Sequence, residues 1–310
     1  MGRLVDGKWH VADVITSDDK GAYARIPRSF LDTVAPDHEK FKPESGRYHL
    51  YVSYACPWAH RTLIYRQLKS LEDHISVSVV SPDMLDQGWI FDPTYPGATK
   101  EPFYDYDKLY KIYQKADPQI NTSVTVPILW DKQNETIVNN ESSEIIRIFN
   151  TSFNQLTGNE ADYYPLKHRE EIDQLNEMIY ESVNNGVYRT GFAKTQQAYD
   201  EAVNSLFQTL DRLEECLEGK KFLCGEDLTE ADLRLIPTLL RFDIVYFTHF
   251  KCNVRRISDY KNLRRYSKDL YEIPAIQETT NFDHIKRHYY YSHESINPHR
   301  IIPKGPDHII

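Results

Sequence analysis

Between residues 48 and 80 the sequence reads strand, tight turn, helix, strand, and the turn carries Cys56 followed at once by Pro57. Tyr48-His-Leu-Tyr-Val-Ser alternates as a strand does, residues 58–71 have helical periodicity, and Ile75-Ser-Val-Ser-Val-Val is strand-like again. That βαβ unit commits the stretch to an α/β domain. Val124-Thr-Val-Pro-Ile-Leu-Trp-Asp then predicts two short strands around Pro127, and residues 137–149 a strand end, a polar turn and a helix. The domain is expected over 44–155, preceded by a polar leader, 1–43, that packs on the domains without forming one. Within it residues 81–123, dense in Pro, Tyr, Asp and Gly, are too long for a plain connection and predict a functional insertion. After Pro165 amphipathic helices dominate, clearest at 170–184, 196–218 and 228–247, which predicts an all-helical domain over 156–310. Thr229 and Asp232 are spaced to cap the third of these helices.

Charge and composition exclude several roles. With 46 acidic against 37 basic side chains and a formal net charge of −9, the surface should repel a phosphate backbone, so nucleic acid is not an expected partner. No run of about 18 apolar residues is present and the first residues lack a secretory core, so a cytoplasmic, membrane-free protein is expected. Asp6 stands where a myristoylation signal carries Ser or Thr, and the Asn-x-Ser/Thr triplets at Asn121, Asn134, Asn140 and Asn150 have no meaning outside the secretory path. Cys56, Cys216, Cys224 and Cys252 are too widely spaced for a zinc or dithiol centre. His284 and His288 share a helix face but lack a third ligand, and are expected to be ordinary surface histidines; no metal is expected.

The chemistry concentrates at Cys56. A thiol is a nucleophile only as thiolate, and a sulfur at a helix start faces unpaired amides and the positive end of the helix dipole. Pro57 suits the first helical position because it has no N–H to lose. A lone cysteine in a core is usually inert packing, but strand-Cys-Pro-helix shifts that balance. Ala59 stands where a dithiol oxidoreductase carries its second cysteine, so a mixed disulfide on Cys56 needs an external thiol to resolve it. The abundant cellular thiol is glutathione.

Cys-Pro-Trp-Ala after a strand, Val-Pro at 126–127, Asn-Glu-Ser-Ser at 140–143 and the capped helix at Thr229 together resemble a cytosolic glutathione transferase. Longer strings, Asp-Gln-Gly-Trp-Ile-Phe at 86–91, Tyr-Phe-Thr-His-Phe-Lys-Cys-Asn at 246–253 and His-Tyr-Tyr-Tyr-Ser-His-Glu-Ser-Ile-Asn-Pro at 288–298, are similar to the Xi class, the glutathionyl-hydroquinone reductases. The resemblance implies a thioredoxin-like domain followed by an all-α domain, a homodimer, and reduction of glutathione-conjugated hydroquinones with glutathione as cosubstrate. It implies Cys56 as nucleophile, Tyr188 as proton donor to the leaving ring, and Tyr246 and Tyr289 beside the sulfur. It also implies a glutathione site of Trp89, Ser123, Val124, Thr125, Val126, Glu141 and Ser142. Val126 would pair its backbone with the glutathione cysteine, while Glu141 and Ser142 at a helix start would take the γ-glutamyl end. Read without the family, those positions are equally a strand end, a helix cap and an aromatic staple. One departure stands out: where the family has Gly-Arg before Val-Thr-Val-Pro, this chain has Thr122-Ser123, so the arginine contact is missing or comes from elsewhere, such as Lys111 or Lys115. The alternatives are an omega-like thioltransferase or dehydroascorbate reductase, which needs Cys56 but not Tyr188, and a noncatalytic carrier of aromatic ligands.

Overall fold

The computed structural model describes residues 2–11, 16–17, 19–24 and 28–306. They form two compact units. The first gathers residues 2–11, 28–162 and Thr279–His288, the second residues 16–17, 19–24, Tyr163–Glu278 and 289–306.

The N-terminal residues, expected as a leader that packs on the domains without forming one, contain a hairpin of β1 (Gly2–Val5) and β2 (Lys8–Val11). Asp6 and Gly7 turn it with φ of 47° and 68°, the positive pair that a two-residue hairpin turn requires. A side chain at Gly7 would strike the Pro118 carbonyl at 1.8 Å, so only glycine fits there. In the second unit β3 (Thr16–Ser17) pairs antiparallel with β4 (Tyr23–Ala24).

The centre of the first unit is a sheet of order β6-β5-β8-β9, built from β5 (Tyr48–Val52), β6 (Ser76–Val79), β8 (Ile128–Asp131) and β9 (Thr136–Asn139). β5 runs parallel to β6, with α1 (Pro57–Leu68) as the crossover, and antiparallel to β8. Every residue of β5 is buried, because both faces are covered. On the face of His49 and Tyr51 the cover comes from the 81–123 insertion: Phe103 meets His49 edge-on at 4.8 Å and the Tyr51 hydroxyl donates to Glu101 at 2.9 Å. Arg47 and Asp131 close the sheet end in a buried bidentate pair at 2.9 and 2.7 Å. The insertion also holds α2 (Tyr110–Ala116), and the short β7 (Thr122–Ser123) leaves it to pair with β1. α3 (Ser142–Thr151), which packs along α1, and α4 (Asn154–Thr157) complete this unit's regular structure up to residue 162.

Two expectations are corrected here. No strand forms over 124–126: Thr125 donates its N–H to the Tyr113 hydroxyl, which donates to the Thr125 carbonyl at 2.9 Å, and Pro127 has no N–H for a ladder. The Val126–Pro127 peptide is cis. His284 and His288 are buried rather than on the surface, because each gives a ring N–H to a carbonyl of the insertion, Pro96 at 2.7 Å and Pro82 at 2.9 Å. Among the described residues no cluster of three or more His, Cys, Asp or Glu is arranged to hold a metal.

The second unit is helical: α5 (Arg169–Ile179), α6 (Gly186–Gly191), α7 (Gln196–Cys216), α8 (Glu230–Arg241), α9 (Phe247–His249), α10 (Lys261–Tyr271) and α11 (Pro274–Gln277). α12 (Phe282–Ser292) begins in the first unit and ends in the second. Asp232 accepts from the Thr229 N–H at 2.8 Å, the predicted cap at the start of α8, and also from Leu223 and Tyr266. The helices predicted to run to 184 and 247 both widen into π turns, Tyr180–Asn184 and Phe242–Tyr246. Asn184, at the end of the first, donates to Thr238 at 2.8 Å. No helix among the described residues is long and apolar enough to cross a membrane.

Candidate active site

Cys56 is the N-cap residue of α1, with extended φ/ψ of −77° and 120° and Pro57 as the first helical residue. Its side chain makes no capping bond, so the partly exposed sulfur stands at the open amides of the helix start. The sulfur lies 3.6 Å from the Val126 carbonyl oxygen. Among the described residues nothing accepts from the Val126 N–H, so this residue offers both backbone groups beside the thiol. The Tyr113 hydroxyl, fully buried, holds the adjoining Thr125 backbone and accepts from Asn140 at 3.1 Å. Sequence reasoning missed Tyr113, whose hydroxyl takes up both backbone groups of Thr125.

The other first-unit residues are placed as follows. Glu141 is the N-cap of α3, its carboxylate accepting from the Ser143 N–H at 3.1 Å and from the Ser142 hydroxyl at 3.3 Å. A helix cap and an anion- or ammonium-binding corner thus share the same atoms. Trp89 is buried and stacks on His288 with centroids 4.7 Å apart. Ser123 is in β7, directly opposite Arg3. Lys111 and Lys115, the proposed substitutes for the family's arginine, are engaged by Asp107 at 2.6 Å and Glu135 at 3.0 Å.

The second unit brings the three predicted tyrosines together although they lie on α6, the second π turn and α12. The Tyr289 hydroxyl is 2.6 Å from that of Tyr188 and 3.0 Å from that of Tyr246. Tyr246 and Tyr289 are buried, while Tyr188 is half-buried. Burial raises Tyr246 well above the usual tyrosine range, with the neighbouring Tyr289 adding to it, so this hydroxyl keeps its proton at any physiological pH. The three hydroxyls thus form one hydrogen-bonded chain through Tyr289, in which either atom of each pair can be the donor. Phe250 stacks on Tyr246 at 5.4 Å and lies 5.5 Å from Tyr188, holding the rings from one side.

The sheet order, the thiol at the start of α1 and the helical second unit define a thioredoxin-like domain followed by an all-α one, the architecture of a glutathione transferase. Models of the glutathione S-transferase N-terminal and C-terminal domains match residues 55–152 and 196–269. Glutathionyl-hydroquinone reductase YqjG of Escherichia coli is 53% identical over 99% of this chain and 95% of its own length, and glutathionyl-hydroquinone reductase PcpF of Sphingobium chlorophenolicum is 50% identical over 99% and 96%. The crystal structure of the glutathione S-transferase Xi from Phanerochaete chrysosporium superposes with a TM-score of 0.93 at 53% identity, covering 95% of this chain and 96% of that one. The chain belongs to the Xi class of glutathione transferases, the family of the glutathionyl-hydroquinone reductases.

Proposed function

We propose that this protein reduces glutathionyl-hydroquinones to hydroquinones through a mixed disulfide on Cys56. The Cys56 thiolate attacks the glutathione sulfur, forming an S–S bond as the bond from that sulfur to the aromatic ring breaks. The electron pair left on the ring takes a proton from Tyr188, and hydroquinone leaves. A second glutathione, as thiolate, attacks the glutathione sulfur of the mixed disulfide, frees Cys56 and departs as glutathione disulfide. The ring carbon is reduced and two glutathione sulfurs are oxidised to a disulfide, so the equation balances without metal or nucleotide. Trp89, Ser123, Val124, Thr125, Val126, Glu141 and Ser142 are the proposed glutathione contacts, with Val126 pairing to the cysteinyl backbone.

The observations that carry this reading are a monothiol at a helix start beside the open backbone of Val126 in the first unit and, in the second, a hydrogen-bonded chain of three tyrosine hydroxyls. The relatives named for the same reaction, alike over nearly their whole length, support it. The test is to follow hydroquinone released from glutathionyl-hydroquinone in the presence of glutathione. Cys56→Ser is expected to abolish release, and Tyr188→Phe to lower it by roughly 100-fold, the usual contribution of a positioned general acid, while disulfide exchange with a small glutathione mixed disulfide continues. Equal loss of both activities in Tyr188→Phe, or none, would exclude this role for Tyr188 and favour a plain thioltransferase.

A further inference from the structure

The family's arginine before Val-Thr-Val-Pro is absent from this sequence, and Lys111 and Lys115 are each held by a carboxylate. Register supplies another cation. In the three-stranded sheet β2-β1-β7, Arg3 stands between His10 and Ser123 and directly opposite both. Directly opposed residues of antiparallel strands project to the same face, with Cβ atoms about 5 Å apart. Leu4 and Thr122, the next pair along, are buried on the other face, which leaves Arg3 and Ser123 together on the more open one.

Arg3 is also an arginine without an anion. Among the described residues its side chain forms no ion pair and no hydrogen bond, and its Nε is buried without a partner. In a chain with 46 acidic side chains that is a conspicuous vacancy in the pairing, because a shielded guanidinium is normally matched to a carboxylate or carbonyl. From Ser123 the chain runs to Val126, at most about 10 Å of backbone, a gap that one glycyl residue and an arginine stem can close.

We infer that Arg3 takes the place of the missing arginine and binds the glycyl carboxylate of glutathione. The inference rests on the glutathione site proposed above. With the γ-glutamyl end assigned to Glu141 and Ser142 and the cysteinyl backbone to Val126, the glycyl carboxylate is the anion still to be matched, and Arg3 is a rigid bidentate donor suited to it. The short Ser123 side chain belongs to the same arrangement, since a second cation directly across the strands would repel Arg3. The arginine has in effect moved from β7 to the strand that pairs with it.

The experiment is calorimetric titration of the full chain with S-methylglutathione, which has no free thiol to turn over, and with its glycyl amide. The wild-type protein should prefer the acid to the amide by about ten-fold, the size of one charge-assisted hydrogen bond. Arg3→Gln should weaken the acid by about that factor and leave the amide unchanged, and adding Ser123→Arg to Arg3→Gln should restore the preference. Equal affinity of Arg3→Gln and wild type for the acid overturns the inference while leaving the glutathione site intact, and so does parallel loss of both ligands, which marks a structural role. Failure of the wild-type protein to bind either ligand overturns the glutathione site as well.

Discussion

What separates one thiol from another in this chain is the water around it. Cys224 and Cys252 are buried; desolvation pushes Cys224 up to about 11 and Cys252 further, so both stay protonated at neutral pH. Cys56 and Cys216 are partly exposed, and only Cys56 has a helix start before it. Brief treatment of the native protein with iodoacetamide at pH 7.5, followed by peptide mass spectrometry, should therefore label Cys56 first, Cys216 more slowly, and Cys224 and Cys252 only after unfolding. Labelling of Cys252 ahead of Cys56 would contradict this ordering. The Cys56 turn was legible in the sequence because every part of it is local: strand alternation, the proline, and Ala59 three residues on. Tyr113 was not, since nothing beside it distinguishes it among 22 tyrosines, and its partner Thr125 is fixed only by the fold. Arg3 was invisible for the same reason, lying 120 residues before the serine it faces.

At the scale of elements the site depends on close packing that sequence periodicity does not report. Gly191 ends α6 against Phe250, and a Cβ there would lie 2.2 Å from the Phe250 ring. Gly191→Ala must push Phe250, and with it the stacked Tyr246, out of place. The expected cost is about 1–3 kcal/mol by denaturant unfolding, the range for overpacking a filled core, together with slower hydroquinone release. Unchanged stability and activity would mean that Phe250 can move freely. The element types were readable: the βαβ unit, the helix from Ser142 and the cap at Thr229 all rest on patterns within one turn or one strand. The π turns were not, because widening a helix by one residue per turn shifts which side chains face inward without changing the helical composition. The hairpin of β1 and β2 was signalled by Asp6-Gly7, but its strands are short and polar outside, and β7 finds β1 only across more than a hundred residues.

At the scale of the whole chain, histidine is what makes stability depend on pH. His49 is nearly inaccessible in β5, its ring bonded to the Ser76 and Ser78 hydroxyls at 2.7 and 2.9 Å, and burial lowers it to about 3, with Lys132 and Arg66 adding repulsion. His284 is lowered by burial too. In the unfolded chain both titrate near 6.5. Below that pH unfolding takes up protons that the folded protein refuses, so stability is full above about 6.5 and falls as the pH drops. For His49 alone the slope approaches about 1.4 kcal/mol per pH unit, or about 2 kcal/mol between pH 6.5 and 5. Carboxylates held low in the folded state, such as Asp107 beside Lys111, act in the same direction only at lower pH, nearer their own titration. Denaturant unfolding at pH 7.5, 6.5 and 5 should therefore show little change across the first interval and a clear loss across the second. His49→Gln retains a hydrogen-bonding side chain at the serines but has no proton to gain, so it should flatten the second interval by about 2 kcal/mol whatever it does to stability at pH 7.5. An unaltered slope in that variant would show that His49 is not the group that resists protonation.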